Sequence, residues 1–278
     1  MGGRALVLGG GGVTGVAWEL GILAGLAEAG VDLTGADVVV GTSAGSVVGA
    51  LVTGVDVAEA YERQLAPPTT ERPARVGLGV LLRFASAALV RDAQRSRARV
   101  GAQALAASTV PEQVRRDIIA ARLGGVDWPA EQRLLITAVA ADDGELVVFD
   151  RNRGVSLVDA VAASCAVPGV WPPITINGRR YIDGGVASPA NVDLAAGADV
   201  VVVLAPITAS FRRDGRVAAQ LAALPAGTRR LVVTTDAAAR RAIGRNVLDP
   251  ARRAIAARAG RAQAAGLVST VRSVWEGL

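Results

Sequence analysis

The sequence lacks both of the basic residue types that most often activate a nucleophile. It contains no histidine, and all 30 of its basic residues are arginine, so lysine is absent too. A phosphate-binding P-loop and a pyridoxal-phosphate enzyme each need a lysine, and both classes are therefore excluded. Zinc and copper sites use histidine and cysteine ligands, which leaves only metals bound by oxygen. A catalytic serine in this chain would need a carboxylate as its base.

Cysteine and long apolar runs are also scarce. The one cysteine, Cys165, excludes an internal disulfide framework and fits a reducing compartment. The longest apolar run, Val76–Val90, has about 15 residues and contains Arg83, so it is too short and too interrupted to cross a bilayer. A glycine cluster stands where a signal peptide would have its apolar region. We therefore expect a cytoplasmic protein, either soluble or peripheral at a membrane.

The size and charge of the chain narrow its class further. Its 278 residues show no break in composition, so residues 1–278 are predicted to form one domain. The formal net charge of +5 is modest, and no basic motif is interleaved with aromatic residues, so nucleic-acid binding is not expected. The same charge permits contact with an anionic membrane surface.

Strand-like and helix-like segments alternate along the chain. Ala5–Leu8 is a short apolar run that leads into glycines, and apolar residues recur at helical spacing from Val16. Asp37–Val40 begins the same pattern again, which predicts an α/β fold with a mostly parallel sheet covered by helices. Residues 56–124 are predicted to form helices, and 189–196 another. Further strands are predicted at Leu134–Val139, Glu145–Phe149, Ile174–Ile176, Arg179–Ile182, Val200–Leu204 and Leu231–Thr235.

The segment Gly41-Thr-Ser-Ala-Gly45 has the signature of a turn that presents a nucleophilic serine. A strand that reverses into a helix within a few residues places the serine at the apex of the turn. Gly41 and Gly45 lie two positions either side of Ser43, where a Cβ would clash as strand and helix approach. Short patterns of small residues also arise by chance in a chain rich in alanine and glycine. The strand and helix predicted around this one favour a catalytic Ser43.

Asp183 is the best candidate for the base. It ends a predicted hairpin strand, and Gly184 and Gly185 would let substrate approach closely. Without the serine motif, an ordinary turn aspartate would be the better interpretation. An aspartate is a weak base, so burial would have to raise its pKa, or proton transfer would have to accompany attack. Cys165 is not a rival nucleophile, because no histidine is present to activate it.

The glycine loop, residues 10–15, has two interpretations. Consecutive glycines at the start of a helix can turn backbone N–H groups into one cavity and form an oxyanion hole. The same string matches a dinucleotide-binding fingerprint, which needs an acidic residue at the end of the second strand. That strand ends in Gly41 instead, and Asp32 precedes it, so the dinucleotide interpretation is disfavoured.

One acidic cluster could in principle bind a metal through oxygen. Asp142, Asp143 and Glu145 stand between two apolar runs and include an Asp-Gly pair. This pattern is typical of a hairpin turn and only rarely of a metal site. No metal and no cofactor are expected.

Together, the glycine loop, the serine turn, the Asp183-Gly-Gly triplet and the segment Ser164–Gly169 resemble the patatin-like phospholipase family. The resemblance covers about residues 4–204, and 205–278 would add a strand and helices to the same domain. It implies a three-layer α/β/α fold and a Ser–Asp dyad that hydrolyses acyl esters of lipids without metal or cofactor. One departure is Thr14, because the family usually has arginine or lysine at this point of the loop.

Carried over to this chain, the resemblance makes Ser43 the nucleophile and Asp183 its base. Backbone N–H groups of Gly11, Gly12 and Ala44 would form the oxyanion hole. The expected activity is that of a phospholipase A or lysophospholipase working through an acyl-enzyme, with a lipid substrate and peripheral membrane contact. The alternative is a hydrolase-like domain that binds lipid or a protein without catalysis.

The apolar run and the arginines after it allow a lid that faces lipid over residues 76–99, although a helix packed on the core is the simpler interpretation. The arginines concerned are Arg83, Arg91, Arg95, Arg97 and Arg99.

Overall fold

The computed structural model describes residues 3–67, 74–75 and 77–277, and these form a mixed sheet between layers of helices. The strands are β1 (Arg4–Leu8), β2 (Val38–Thr42), β3 (Arg133–Ala140), β4 (Leu146–Phe149), β5 (Ile174–Ile176), β6 (Arg179–Asp183), β7 (Val200–Ala205) and β8 (Arg229–Thr234). The helices are α1 (Gly12–Glu28), α2 (Ala44–Gly54), α3 (Val57–Leu65), α4 (Leu78–Ala87), α5 (Ala93–Leu105), α6 (Glu112–Leu123), α7 (Leu157–Ser164), α8 (Val217–Ala223), α9 (Ala237–Ile243), α10 (Arg253–Ala264) and α11 (Val268–Glu276).

The sheet has the order β5-β6-β3-β2-β1-β7-β8, and β4 pairs with β3 as well. Strands β3, β2, β1, β7 and β8 are parallel, whereas β4 and β6 run antiparallel to β3. The mostly parallel sheet predicted from the sequence is therefore confirmed. The antiparallel pairs β3–β4 and β5–β6 are hairpins, which need no crossover helix.

The two faces of the sheet carry separate apolar layers, because successive strand residues point to opposite sides. On β1, Leu6 and Leu8 pack with α1, α2, α7 and α10 on one face. Ala5 and Val7 pack on the other face with α8 and the short 3₁₀ helix Val192–Ala195. Helices on both sides make three layers, as the α/β prediction requires.

Helix α10 packs closely along α1. A Cβ added to Gly25 would lie 2.7 Å from Cβ of Ala264, and a Cβ on Gly260 would overlap the carbonyl oxygen of Trp18. The indole N–H of Trp18 donates a hydrogen bond to Oε1 of Gln263 at 2.9 Å. The segment after β7 is thus packed against the glycine-loop helix.

One predicted helix differs from the structure. Residues 189–196 contain only the 3₁₀ turn Val192–Ala195, because Ser188 Oγ accepts the backbone N–H groups of Ala190 and Asn191 and bends the chain there. The run 76–90 contains α4, but Val76 and the side chain of Arg83 lie outside the described residues.

Candidate active site

Strand register brings Ser43 and Asp183 together. β3 pairs in parallel with β2, and Thr137 lies opposite Thr42 at the end of that pairing. β6 then pairs with the last residues of β3, where Asp183 lies opposite Ala138. Ser43 follows Thr42 directly, so the two predicted catalytic residues are neighbours at this end of the sheet. The Ser43 side chain is within hydrogen-bonding reach of the Asp183 carboxylate.

The backbone of Ser43 is strained and held from three sides. Its φ of 52° and ψ of −112° lie in a region that residues other than glycine rarely adopt. Its N–H donates to Oγ of Ser164 at 2.9 Å. Its carbonyl oxygen accepts hydrogen bonds from Oγ of Ser46 at 2.6 Å and from Sγ of Cys165 at 3.2 Å. These bonds fix the serine at the apex of the turn.

Cys165 therefore helps to hold the backbone of Ser43 in place. It is buried, and burial raises the pKa of its thiol, an effect to which the charge of Asp183 adds. A thiol that stays protonated is a hydrogen-bond donor and a poor nucleophile. This agrees with the expectation that Cys165 is not a rival nucleophile.

The serine turn needs glycine at two positions because neighbouring backbone atoms lie too close for a Cβ. A Cβ on Gly45 would overlap the carbonyl group of Leu8 in β1. A Cβ on Gly41 would lie 2.6 Å from Cα of Ser46. The Gly45 N–H also donates to the carbonyl oxygen of Gly9 at 2.9 Å. The serine turn and the glycine loop are thus packed directly against each other.

Asp183 ends β6 in a buried position. Burial raises the pKa of its carboxyl group to about 6, while hydrogen bonds from the Gly185 N–H and the Ser43 side chain and the positive charge of Arg115 oppose this rise. The Gly185 N–H donates to Oδ1 at 2.7 Å and fixes the carboxylate. A carboxylate with a pKa near neutrality is a better general base than an exposed one. Burial therefore gives Asp183 the raised pKa that the sequence analysis required of a catalytic aspartate.

The backbone N–H groups of Gly11, Gly12 and Ala44 lie at the starts of α1 and α2. The first N–H groups of a helix have no acceptor within the helix. None of the described residues accepts a hydrogen bond from these three amides. All three residues line the cavity that Ser43 and Asp183 line. Free backbone donors at two helix N-termini suit a developing oxyanion.

Thr14, the departure from the family pattern, is completely buried and tied to the C-terminal part of the chain. Its N–H and its hydroxyl both donate to the carbonyl oxygen of Val247, at 3.1 and 3.2 Å. Val247 and Leu248 also line the cavity. Sequence reasoning missed this contact, because 233 residues separate its partners.

The cavity that Ser43 and Asp183 line has a volume of about 370 Å³. Its walls are mostly apolar, and four arginines also line it. The apolar residues include Val13, Val16, Val47, Val100, Val167, Pro168, Trp171 and Leu248. The arginines are Arg97, Arg115, Arg122 and Arg212. Asp183 is the one carboxylate among the described residues of the lining, so the cavity suits an apolar chain with an anionic or polar end.

Arg115 is the most buried of these arginines, with 3% of its surface exposed. Its guanidinium stacks on the ring of Trp171 at 4.2 Å from the centroid. It favours the ionised form of Asp183 through its charge. Nothing in the sequence distinguished Arg115 from the other arginines of its helix.

Glu19 is a second buried carboxyl group near the site. Its Oε1 accepts the backbone N–H of Gly9 at 2.9 Å, while its Oε2 has no hydrogen-bond partner among the described residues. Burial raises its pKa well above the ordinary value, although the hydrogen bond from Gly9 opposes this. An acidic residue in the apolar middle of helix α1, far from the other carboxylate at its C-terminal end, was the signal that sequence reasoning left unused.

The acidic cluster lies in the turn of a hairpin, as predicted. β3 and β4 pair antiparallel on either side of it. Arg179 forms ion pairs with Asp142, Asp143 and Glu145 at 3.1, 2.6 and 2.7 Å. Within the described part of the chain, no group of three or more histidine, cysteine, aspartate or glutamate side chains is arranged to hold a metal ion.

Comparison with known proteins identifies the family. The profile of the family described as patatin-like phospholipase matches residues 6–196, more than half of the chain. The chain belongs to the patatin-like phospholipase family. Relatives described as uncharacterized NTE family proteins, from Mycobacterium bovis and Mycobacterium tuberculosis, are 32% identical over 207 residues. The matches cover 72% of this chain and 48% of each relative, so the chain spans about half the length of these curated relatives.

Two solved structures have a similar course of the chain, and each covers 97% of this protein. VipD from Legionella pneumophila is 16% identical, with a TM-score of 0.48 and 67% of that chain covered. The type III effector protein ExoU, from Pseudomonas aeruginosa, is 20% identical, with a TM-score of 0.41 and 53% of that chain covered.

Proposed function

We propose that this protein hydrolyses acyl esters of lipids, as a phospholipase A or lysophospholipase, with Ser43 as nucleophile and Asp183 as its base. The observation that carries the proposal is the juxtaposition of a strained, buried serine with a buried carboxylate whose pKa is about 6. Membership in the patatin-like phospholipase family supports a lipid ester as the substrate. The apolar cavity beside the dyad supports an acyl chain as the bound group.

In the first half of the reaction, Oγ of Ser43 attacks the ester carbonyl carbon, and its proton passes to the Asp183 carboxylate. The carbonyl oxygen becomes an oxyanion that accepts hydrogen bonds from the amides of Gly11, Gly12 and Ala44. When the carbon–oxygen bond breaks, Asp183 returns the proton to the departing alcohol. The acyl group remains on Ser43.

In the second half, water attacks the acyl-enzyme while Asp183 accepts one of its protons. The same amides stabilise the second oxyanion. Collapse of this intermediate transfers the proton to Oγ of Ser43, and the fatty acid leaves. Both halves use the same base, so no imidazole is needed.

The reaction is tested with wild type, Ser43→Ala and Asp183→Asn on a short p-nitrophenyl ester and on phospholipid vesicles. Both variants are expected to lose at least about 10³-fold in kcat. Asp117→Asn, an exposed carboxylate on α6, is the matched control and should keep wild-type activity. Equal activity in all four proteins would reject the dyad.

A fluorophosphonate probe separates catalysis from the alternative of a binding domain. The probe is expected to label Ser43 of the wild type and to leave Ser43→Ala unmodified. A protein that binds lipid without catalysis would leave Ser43 unlabelled. The dinucleotide alternative has no acid in the expected place, because Asp32 accepts hydrogen bonds from the backbone and hydroxyl of Thr34 in an exposed turn.

We also propose peripheral contact with a membrane, because the substrate class is found there. Among residues 3–67, 74–75 and 77–277, no helix has both the length and the apolarity to cross a bilayer. Contact would therefore have to come from a surface of the described fold or from segments outside it.

A further inference from the structure

Large apolar side chains are exposed on segments that line the catalytic cavity or directly adjoin a residue that does. Leu89, in the turn after α4, is 84% exposed, and Phe211, in the segment between β7 and α8, is 55% exposed. Leu82 on α4 is 62% exposed. Phe211 also lines the cavity, as does Ala88, the neighbour of Leu89. These residues form an apolar rim, which we define as Leu82, Leu89 and Phe211.

One arginine joins the Leu89 and Phe211 parts of the rim. The guanidinium of Arg212 donates to the carbonyl oxygens of Val90 at 2.7 Å and Arg91 at 3.2 Å. It also pairs with Asp214 at 3.0 Å. Arg212 thus joins the turn that carries Leu89 to the segment that carries Phe211, so the two exposed side chains belong to one fixed surface.

The charges next to the rim are mainly positive. Arg91 and Arg213 are exposed and directly follow rim segments. The nearby carboxylates are already engaged, since Asp214 pairs with Arg212 and Asp92 accepts the N–H of Arg95 as the cap of α5. An exposed apolar group flanked by arginines is the composition of a surface that enters the interface of an anionic bilayer.

We propose that the apolar rim inserts into an anionic lipid bilayer, with Arg91 and Arg213 contacting the head groups, and so places the cavity mouth on the membrane. The inference rests on the proposed function for its reason, since a lipid substrate must leave a bilayer to reach Ser43. It names which face of the protein meets the membrane. Continuity of the rim with the cavity and its charge favour a bilayer over a protein partner.

Binding is measured by co-sedimentation with vesicles of phosphatidylcholine containing about 30% phosphatidylglycerol. All variants are made in the Ser43→Ala background, so that hydrolysis does not alter the vesicles. The double variant Leu82→Ser with Leu89→Ser is expected to bind at least about tenfold more weakly, because two exposed apolar side chains no longer enter the bilayer. Ile255→Ser, which removes an exposed apolar residue from α10, is the matched control and should bind as its parent does.

The charge contribution is tested with Arg91→Glu combined with Arg213→Glu. This pair is expected to lose binding to the anionic vesicles by about tenfold and to leave binding to pure phosphatidylcholine unchanged. Arg258→Glu on α10 is the matched control. Wild-type binding by both double variants would overturn the proposal, and so would the absence of vesicle binding by the parent protein.

Activity distinguishes this proposal from the proposed function. With Ser43 restored, Leu82→Ser with Leu89→Ser should hydrolyse the short soluble ester within about twofold of wild type and lose at least about tenfold on vesicles. Parallel losses on both substrates would show damage to the site and overturn the docking role. If no ester is hydrolysed by the wild type but rim-dependent sedimentation persists, the proposed function fails while the docking surface stands.

Discussion

Asp183 on β6 pairs with Ala138 on β3, one position beyond the residue that pairs with Thr42. This register places the end of an antiparallel hairpin next to the end of a parallel strand. The carboxylate therefore reaches the serine turn without any contribution from a distant loop. Since both strands are hydrogen-bonded into one sheet, the sheet itself sets the separation of Ser43 and Asp183.

The activity is expected to rise with pH through about 6, because Asp183 must be ionised to accept the serine proton. Arg115→Gln removes a positive charge that favours this ionisation, so the acid limb should move to higher pH. Arg115→Lys keeps the charge and should leave the limb near its wild-type position. The measurement is the pH profile of kcat/KM on a soluble ester, with thermal unfolding to show that each variant is folded. An acid limb that stays in place in Arg115→Gln would contradict this role.

Asp183 should also cost stability at neutral pH. The Asp183 carboxyl holds its proton more tightly in the native state than in the unfolded chain. The stability that this protonated group contributes is fully present below the ordinary pKa of 3.8 and is lost as the pH rises through about 6. Asp183→Asn avoids this loss and is expected to be more stable than wild type at about pH 8, by about 3 kcal/mol at most. Urea unfolding at about pH 4 and about pH 8 tests this. An equal difference at both values would refute the linkage.

Glu19, like Asp183, should make the protein less stable as the pH rises. Its carboxyl is buried and its pKa is raised, so stability is lost as the pH rises through the native pKa. Glu19→Gln keeps an oxygen acceptor for the Gly9 N–H and cannot ionise. We expect this variant to lose less stability than wild type between about pH 5 and about pH 9 in urea titrations. Glu28→Gln, an exposed carboxylate on the same helix, should follow the wild-type curve.

Gly45→Ala should destabilise the protein strongly. The added Cβ overlaps the carbonyl group of Leu8, which is central backbone and cannot move aside. A loss of about 3 kcal/mol or more is expected, at the upper end of overpacking effects. Gly197→Ala is the control, because a Cβ there meets no atom within 4 Å. Similar unfolding midpoints for the two variants would show that β1 and α2 are less tightly packed than the structure indicates.

The parts of the site that lie close together in sequence could be predicted from it. Ser43 is flanked by the glycines that its turn needs, and Asp183 by the glycines that follow a hairpin strand. The absence of histidine and lysine made a carboxylate the predicted base. Such local features can be predicted from a sequence because a tight turn restricts which residue types can occupy each of its positions.

The contacts between distant segments could not be predicted. Arg115 lies on a helix with four further basic or acidic residues, and only the fold shows that it faces Asp183 and Trp171. The contact of Thr14 with Val247 depends on how the C-terminal segment returns to α1. The wrong helix at 189–196 failed because Ser188 satisfies the backbone N–H groups locally, a choice that apolar spacing does not reveal.

The packing of α10 along α1 has a practical consequence for anyone who trims the gene to its recognisable portion. The family match ends at residue 196, before β7, and the cavity takes part of its wall from residues 207–212 and 247–248. A fragment cut at that boundary would expose the glycine-lined side of α1 to water and remove one wall of the cavity beside Ser43. The stretch matched by the family profile is therefore shorter than the folded unit, and expression of residues 6–196 alone should yield insoluble material.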